Sequence, residues 1–178
     1  MSGVRRARSR AGAGARAGLV FGLVALLAAC SSPAAPAPAE EKWFAGCAPA
    51  AGTGMELPCF TGGAATSVTG PAVVNLWASW CAPCRQELPA FQRLAESGKV
   101  TVLGVVTLDD RGRALDTAKD LGVRFPTLYD SAGRLQKSVG KSLLPVTLFV
   151  DAQGRVTHTY TGPALDDAAL GTLVKEHL

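Results

Sequence analysis

The pair Cys81 and Cys84 constrains this chain most, because it lies between a strand pattern and a helix pattern. Residues 71–77 (PAVVNLW) form a short apolar, β-branched run that is typical of a buried strand. A helical pattern follows over about residues 83–97. The order of strand, short turn, cysteine pair and helix predicts that Cys81 lies at the N-terminus of the helix.

A cysteine in that position is suited to disulfide exchange. The partial positive charge of a helix N-terminus lowers the pKa of a thiol, and unpaired backbone N–H groups point at the sulfur. Cys84 follows one helical turn later, close enough to close a small disulfide ring with Cys81. We therefore expect both cysteines to be catalytic, with Cys81 attacking a substrate disulfide and Cys84 resolving the mixed disulfide.

The same cysteine spacing also occurs in zinc sites, which need four ligands. The sequence has two histidines, His158 and His177, and they are far apart without a matching spacing. Metal binding is therefore the weaker interpretation of the cysteine pair. We expect neither a metal nor a cofactor.

Further apolar runs predict the rest of the fold. Strands are expected over residues 99–108, 125–129, 144–150 and 155–160, and helices over residues 109–122 and 166–178. The segment Asp151-Ala152-Gln153-Gly154 predicts a turn between the last two strands, which would make them antiparallel. The order β–α–β–α–β–β–α predicts an α/β domain with a central mixed sheet, flanked by helices and preceded by an N-terminal extension.

The first residues have the three parts of a secretory signal peptide. Five arginines within residues 5–16 precede an apolar stretch of 11 residues at 17–27, and small residues follow. This stretch is shorter than the roughly 20 residues that span a bilayer. From Cys30 onward the chain carries 13 Lys and Arg against 14 Asp and Glu, so the basic charge belongs to the leader and a nucleic-acid partner is not expected. A twin-arginine signal at Arg5 and Arg6 is an alternative.

Residues 27–30 (LAAC) resemble the lipobox of bacterial lipoproteins, in which the cysteine receives a diacylglyceryl group. The resemblance implies that residues 1–29 are removed and that Cys30 anchors the protein by lipid to the extracytoplasmic face of the cell membrane. Residues 30–41, rich in Pro and Ala, would form an extended tether for a domain over residues 42–178. Ordinary cleavage nearby is the alternative.

Five cysteines are an odd number for an exported protein. With Cys30 assigned to the lipid, Cys47 and Cys59 form a second pair across a loop rich in Gly, Ala and Pro. A structural disulfide there would hold the N-terminal extension and stabilise the fold by about 3 kcal/mol. Two alternatives stay open: a second redox pair that relays electrons, and two free buried thiols.

Residues 73–89 (VVNLWASWCAPCRQELP), with LLPVTLFVDAQGRV later in the chain, resemble thioredoxin-fold proteins. The resemblance covers roughly residues 55–178 and is strongest to the TlpA/ResA-like group of extracytoplasmic thiol–disulfide oxidoreductases, which are often membrane-anchored. It implies disulfide exchange with cysteine-containing exported proteins and a membrane redox partner. One job common in the group keeps the haem-binding cysteines of apocytochrome c reduced; another forms disulfides in secreted proteins.

The resemblance also implies substrate-binding residues. The cis-proline of the family maps onto Pro145, where it would lie beside the cysteine pair and let the loop at Leu144 bind a substrate chain. Pro126 is a competing candidate for the cis-proline. Trp80, next to Cys81, is expected either to shape the substrate surface or to pack on the domain.

One family feature is not expected in this chain. Thioredoxins place a buried aspartate in the strand before the cysteine pair, and the matching residue here is Asn75. The glutamates of related members are replaced by Ala82 and Val146. Glu87 lies one turn past Cys84, where it is the alternative candidate for this proton, but we expect it to be a solvated helix residue. The sequence thus predicts no buried acid that takes the Cys84 proton.

The direction of exchange follows only weakly from the sequence. Ala82 and Pro83 add no charge that would stabilise the thiolate, which favours a reducing or intermediate potential. A disulfide-forming oxidase stays the alternative. A thiol peroxidase is disfavoured because Ala78 and Val74 replace the hydroxyl residue and the proline that peroxiredoxins place before their reactive cysteine. A surface lipoprotein that binds a partner without catalysis is the remaining alternative.

Overall fold

The computed structural model describes residues 42–47, 55–63, 65–66 and 70–178. The predicted signal peptide (1–29) and the whole of the predicted tether (30–41), with Cys30, lie outside the described residues. The described elements, in chain order, are β1 (Leu57–Pro58), β2 (Ala65–Thr66), β3 (Ala72–Trp77), α1 (Ala82–Glu96), β4 (Thr101–Thr107), α2 (Arg111–Asp120), β5 (Thr127–Asp130), α3 (Arg134–Ser138), β6 (Val146–Val150), β7 (Val156–Tyr160) and α4 (Asp167–His177). None of these helices is long and apolar enough to cross a membrane.

Five strands form one mixed sheet in the order β5-β4-β3-β6-β7. The strands β3, β4 and β5 are parallel, whereas β6 pairs antiparallel with both β3 and β7. The predicted α/β domain with a central mixed sheet is confirmed. The structure adds the short helix α3, and the segment predicted at residues 125–129 forms the outer strand β5.

The central strand β3 is covered on both faces, and each of its residues is at most 1% exposed. This explains why its sequence is an apolar run and does not alternate with polar residues. Val73 and Trp77 pack with α1, α2 and α4, while Val74 and Leu76 belong to a second cluster that reaches α3 through Leu135. The cysteine pair therefore follows the most protected strand of the sheet.

Three of the four described helices begin at a residue whose side chain caps them. Asp110 accepts a hydrogen bond from the Arg113 N–H (3.0 Å) at the start of α2, and Asp166 accepts one from the Ala169 N–H (2.8 Å) at the start of α4. At the start of α1 the capping residue is Cys81 itself. The N-terminus of the helix that carries the cysteine pair is thus capped by a sulfur atom.

The N-terminal extension packs against the domain. Phe44, Leu57 and Phe60 are each at most 5% exposed, and the Trp43 indole N–H donates to the carbonyl of Val123 (2.7 Å). The Phe44 and Phe60 rings meet edge-on at 4.8 Å. The described part of the extension is therefore a component of the hydrophobic core.

Candidate functional site

Cys81 and Cys84 form a disulfide at the N-terminus of α1, with their Cα atoms 5.3 Å apart. The Cys84 backbone N–H donates to the Cys81 Sγ atom over 3.2 Å. Pro83 lies in the first turn, where a missing N–H leaves no helical hydrogen bond unmade. Cys81 is 4% exposed and Cys84 is fully buried. A sulfur at this end of a helix is stabilised as thiolate by the helix dipole and by N–H donors.

The strand register brings two other predicted residues to the same end of the sheet. Leu76 pairs with Val146, so the residues before Val146 lie beside the point where β3 ends and the cysteine loop begins. The Leu144–Pro145 peptide bond at this position is cis. Pro145 is buried and Leu144 half-buried. The peptide bond before the competing candidate Pro126 is not among the cis bonds of the described residues.

Trp80 is the large exposed side chain next to the cysteine pair. It is 58% exposed, although its indole N–H donates to the Leu108 carbonyl over 3.1 Å. Trp80 also lines a shallow cleft of about 450 Å³ that contains Arg85, Arg113 and Asp116. A second cleft of about 390 Å³ runs along the loop at Pro145. Clefts therefore lie beside all three residues that were predicted to bind substrate, namely Trp80, Leu144 and Pro145.

The expectation of a solvated Glu87 is wrong, and with it the expectation that the site lacks a buried acid. Glu87 is fully buried on the inner face of α1. Its carboxylate accepts hydrogen bonds from the Asn75 side-chain N–H (2.7 Å) and from the Leu165 backbone N–H (3.2 Å). Burial raises the pKa of Glu87 to about 7, against the opposing effect of the hydrogen bonds from Leu165 and Asn75.

The position of Glu87 follows from helix periodicity. The buried residues of α1 include Cys84, Glu87, Leu88 and Phe91, which are spaced as one helix face. Residues three apart on a helix are neighbours, so Glu87 lies on the same face as Cys84. This spacing was the signal in the sequence that could have identified the buried acid.

Asn75 occupies the strand position of the thioredoxin aspartate and is itself buried. It lies directly opposite Thr147 on β6, and Thr147 is also buried. Asn75 and Glu87 together form a polar pair within the apolar layer between the sheet and α1. In this chain the strand supplies an amide and the helix supplies the acid.

The second cysteine pair lies away from this helix end. Cys47 and Cys59 form a disulfide with a Cα–Cα distance of 5.9 Å. Cys59 bridges to Leu128 on β5, and the next residue, Phe60, donates its backbone N–H to the Thr127 carbonyl (2.8 Å). These backbone contacts attach the N-terminal extension to the outer strand of the sheet, and the disulfide closes a loop within the extension.

Two further observations concern a possible metal site and a buried acid near the cysteine pair. In the described ranges, no three His, Cys, Asp or Glu side chains group in a way that would hold a metal ion. Asp109, which is not among the predicted site residues, is a buried acid that accepts hydrogen bonds from Ser79, two residues before Cys81.

Comparisons with known proteins agree with this architecture. Residues 64–173 match the redoxin family. Over 95 residues the chain is 39% identical to the thiol:disulfide interchange protein DsbE homolog of Paracoccus denitrificans, an alignment that covers 53% of this chain and 52% of that protein. The chain spans about half the length of the curated relatives it matches.

Two solved structures of similar fold have recognisable sequence identity. DsbF of MTB superimposes with a TM-score of 0.63 at 26% identity, covering 70% of this chain and 95% of that one. The exposed lipoprotein thioredoxin Etrx1 of Streptococcus pneumoniae superimposes with a TM-score of 0.55 at 25% identity, covering 68% and 98%. These matches confirm the thioredoxin fold that the sequence motifs predicted. Since the family match extends over more than half of the chain, this protein belongs to the redoxin family.

Proposed function

We propose that this protein is a thiol–disulfide oxidoreductase that exchanges disulfides with exported proteins through Cys81 and Cys84. The observation that carries the proposal is the Cys81–Cys84 disulfide at the N-terminus of α1, with the Cys84 N–H directed at the Cys81 sulfur. The family match and the name of the Paracoccus relative support the same chemistry.

In the reducing direction the Cys81 thiolate attacks one sulfur of a substrate disulfide. The substrate S–S bond breaks, its second sulfur leaves as a thiolate and takes a proton, and Cys81 is joined to the substrate in a mixed disulfide. Cys84 then loses its proton and attacks the Cys81 sulfur, which forms the Cys81–Cys84 disulfide and releases the substrate thiol. The substrate gains two electrons, and a dithiol donor at the membrane restores the cysteine pair by the reverse exchange.

Glu87 is the residue that we assign to the proton of Cys84. It lies three positions after Cys84 on the buried face of α1, in a layer that excludes bulk water. A pKa of about 7 lets its carboxyl group accept and return a proton near neutral pH. Asn75 and the Leu165 N–H hold the carboxylate in place.

We propose that the net direction is reductive and that the substrates include the haem-binding cysteines of apocytochrome c. Ala82 and Pro83 place no cation between the cysteines, so nothing in this dipeptide stabilises the thiolate that strong oxidants need. The likeness to the TlpA/ResA-like group supports apocytochrome c as a substrate. Disulfide formation in secreted proteins is the alternative.

We also propose that Cys30 carries a lipid that anchors the protein at the extracytoplasmic face of the membrane. The lipobox-like residues 27–30 support this, as does the name of the pneumococcal lipoprotein with the same fold. Replacing Cys30 by Ala should move the protein from the membrane fraction to the soluble fraction. A variant that stays in the membrane fraction would refute the lipid anchor.

Reduction of insulin disulfides by dithiothreitol tests the activity, and the reduction potential of the cysteine pair tests the direction. We expect the purified protein to accelerate insulin reduction and its potential to lie near or below the roughly −270 mV of thioredoxin. A potential near the roughly −120 mV of strong oxidants would favour the disulfide-forming alternative. A protein that leaves the insulin reaction at its uncatalysed rate would contradict the proposed function.

A further inference from the structure

The two residues before Cys81 are held by the loop between β4 and α2. The Asp109 carboxylate accepts hydrogen bonds from both the backbone N–H and the hydroxyl of Ser79, the latter over 2.9 Å. One residue on, the Trp80 indole N–H donates to the Leu108 carbonyl. Two consecutive residues of the cysteine loop are therefore tied to two consecutive residues of the neighbouring loop.

Asp109 is itself fixed from the other side. Its carboxylate also accepts the Asp110 N–H over 2.8 Å, and its backbone carbonyl accepts the Tyr129 hydroxyl over 2.9 Å. Leu108 has a positive φ of 52°, an uncommon conformation for a residue with a side chain, and its N–H donates to the Asp130 carbonyl over 3.1 Å. The loop is thus held in one conformation by the outer strand β5.

The Asp109 carboxylate is a buried acidic group in contact with Ser79, two residues before Cys81. Its side chain has no exposed surface, and the nearest cation, the Arg113 guanidinium, is 4.0 Å away and 72% exposed. Ser79 is bonded to Asp109 and is two residues from Cys81, a separation of at most about 7 Å along the backbone. A buried charge is screened less than a surface charge, so its field extends past Ser79 towards Cys81.

A fixed negative charge near Cys81 opposes formation of the thiolate. Opposing the thiolate destabilises the reduced form of the pair and moves the equilibrium towards the disulfide, which makes the pair a stronger reductant. The helix N-terminus acts in the other direction, since it favours the thiolate. The balance of these two effects sets how reducing the pair is.

We propose that Asp109 is a positioning residue that orients the Ser79–Trp80 segment before Cys81 and, through its buried charge, holds the Cys81–Cys84 pair on the reducing side. This inference rests on the proposed disulfide exchange and names a residue that would set its direction. Asp109 acts through Ser79 and through its field and is not assigned contact with substrate.

The test compares Asp109→Asn with Asp116→Asn. Asp116 lines the same cleft as Ser79 and Trp80 but is exposed, so its replacement makes the same change in net charge without removing a buried group. The measurements are the alkylation rate of Cys81 by iodoacetamide at pH 7 and the equilibrium of the pair with dithiothreitol. The melting temperature of each variant reports structural damage separately.

We expect Asp109→Asn to speed alkylation and to shift the redox equilibrium about tenfold towards the reduced pair, which equals about 30 mV for a two-electron couple. Asp116→Asn should change both by less than twofold. Ser79→Ala keeps the charge and removes one hydrogen bond, so it should slow insulin reduction with little change in the redox equilibrium. A folded Asp109→Asn protein with an unchanged equilibrium would overturn the inference.

If Asp109→Asn does not fold, Arg113→Gln provides the second test. Removing this exposed cation leaves the Asp109 charge less compensated, so alkylation should slow and the equilibrium should move towards the disulfide. An unchanged or faster alkylation rate would then overturn the inference. The alkylation rate and the redox equilibrium are both measured without a protein substrate. If the unmodified protein fails to reduce insulin, the proposed function is refuted, while these two measurements still decide the role of Asp109.

Discussion

The two disulfides of the described structure join their cysteines over similar Cα distances, 5.3 Å and 5.9 Å, and differ in what surrounds the sulfur atoms. Cys81 lies at the start of a helix and accepts a hydrogen bond from the Cys84 N–H. Its partner Cys84 is one helical turn from the buried acid Glu87, whose carboxylate is hydrogen-bonded to Asn75 and, among the described residues, to no cation. Cys59 lies beside the outer strand β5. Burial does not separate them, since Cys59 and Cys81 are 3% and 4% exposed. We therefore expect the helix N-terminus and the nearby acids, rather than burial, to make Cys81 the reactive cysteine.

The strongest test of this comparison removes each disulfide in turn by mutation. Replacing Cys81 by Ser should reduce insulin reduction to its uncatalysed rate, because the nucleophile is lost. The paired replacement Cys47→Ala with Cys59→Ala should keep most of the activity. Activity in the first variant, or its loss in the folded second variant, would mean that the second pair takes part in the exchange.

Stability should rank the two bonds in the opposite order. The Cys47–Cys59 bond closes the longer loop, with a sequence separation of 12 against 3. Its removal should lower the free energy of unfolding by about 3 kcal/mol, and removal of the Cys81–Cys84 bond by about 2 kcal/mol, in the chain-entropy estimate. Urea unfolding of the two double-alanine variants measures both values. Equal losses would show that local strain or contacts outweigh loop length.

The buried acid Glu87 should make the stability of the protein near the active cysteine pair depend on pH. The pKa of Glu87 is raised from 4.5 to about 7 in the folded protein, so the folded state binds more protons than the unfolded state between these values. The stability from this group is therefore present at low pH and is lost as the pH rises towards 7, by about 2 to 3 kcal/mol from pH 5 to pH 8.

Replacing Glu87 by Gln should flatten this dependence and slow the resolving step, because the amide cannot accept the Cys84 proton. Urea unfolding at pH 5 and pH 8 measures the first effect, and the pH profile of insulin reduction measures the second. Glu96, an exposed acid on the same helix, provides the control as Glu96→Gln. A pH dependence that survives Glu87→Gln would assign it to another group.

The smallest expected effect concerns Trp80. Replacing it by Ala should lower kcat/KM for insulin about fivefold, or about 1 kcal/mol, because an exposed apolar contact for the substrate is lost. Trp80→Phe keeps an aromatic ring and removes the hydrogen bond to Leu108. If Trp80→Phe lowers kcat/KM as much as Trp80→Ala does, the indole N–H matters more than the apolar surface.

Much of the fold followed from the sequence because its signals are local. The apolar run at β3 and the turn at residues 151–154 each specify structure within a few residues. The short helix α3 was not predicted, since its five residues carry little periodic pattern.

The site was harder to predict where it depends on long-range contacts. Glu87 was expected in solvent because the residue itself is charged and its partners, Asn75 and Leu165, are 12 and 78 positions away in the chain. Asp109 reaches Ser79 across 30 positions. The Glu87 contacts arise only once α1 packs on the sheet and on the segment before α4, and the Asp109 contact only once β3 and β4 are neighbours, so the local sequence pattern does not reveal them.

The central place of β3 also determines how the protein behaves over time. A strand paired on both sides and covered on both faces opens only with the whole domain, so its amide hydrogens should be among the slowest to exchange with solvent. The cysteine loop begins where this strand ends. Opening and closing the Cys81–Cys84 bond can therefore proceed many times while the framework beneath it stays closed.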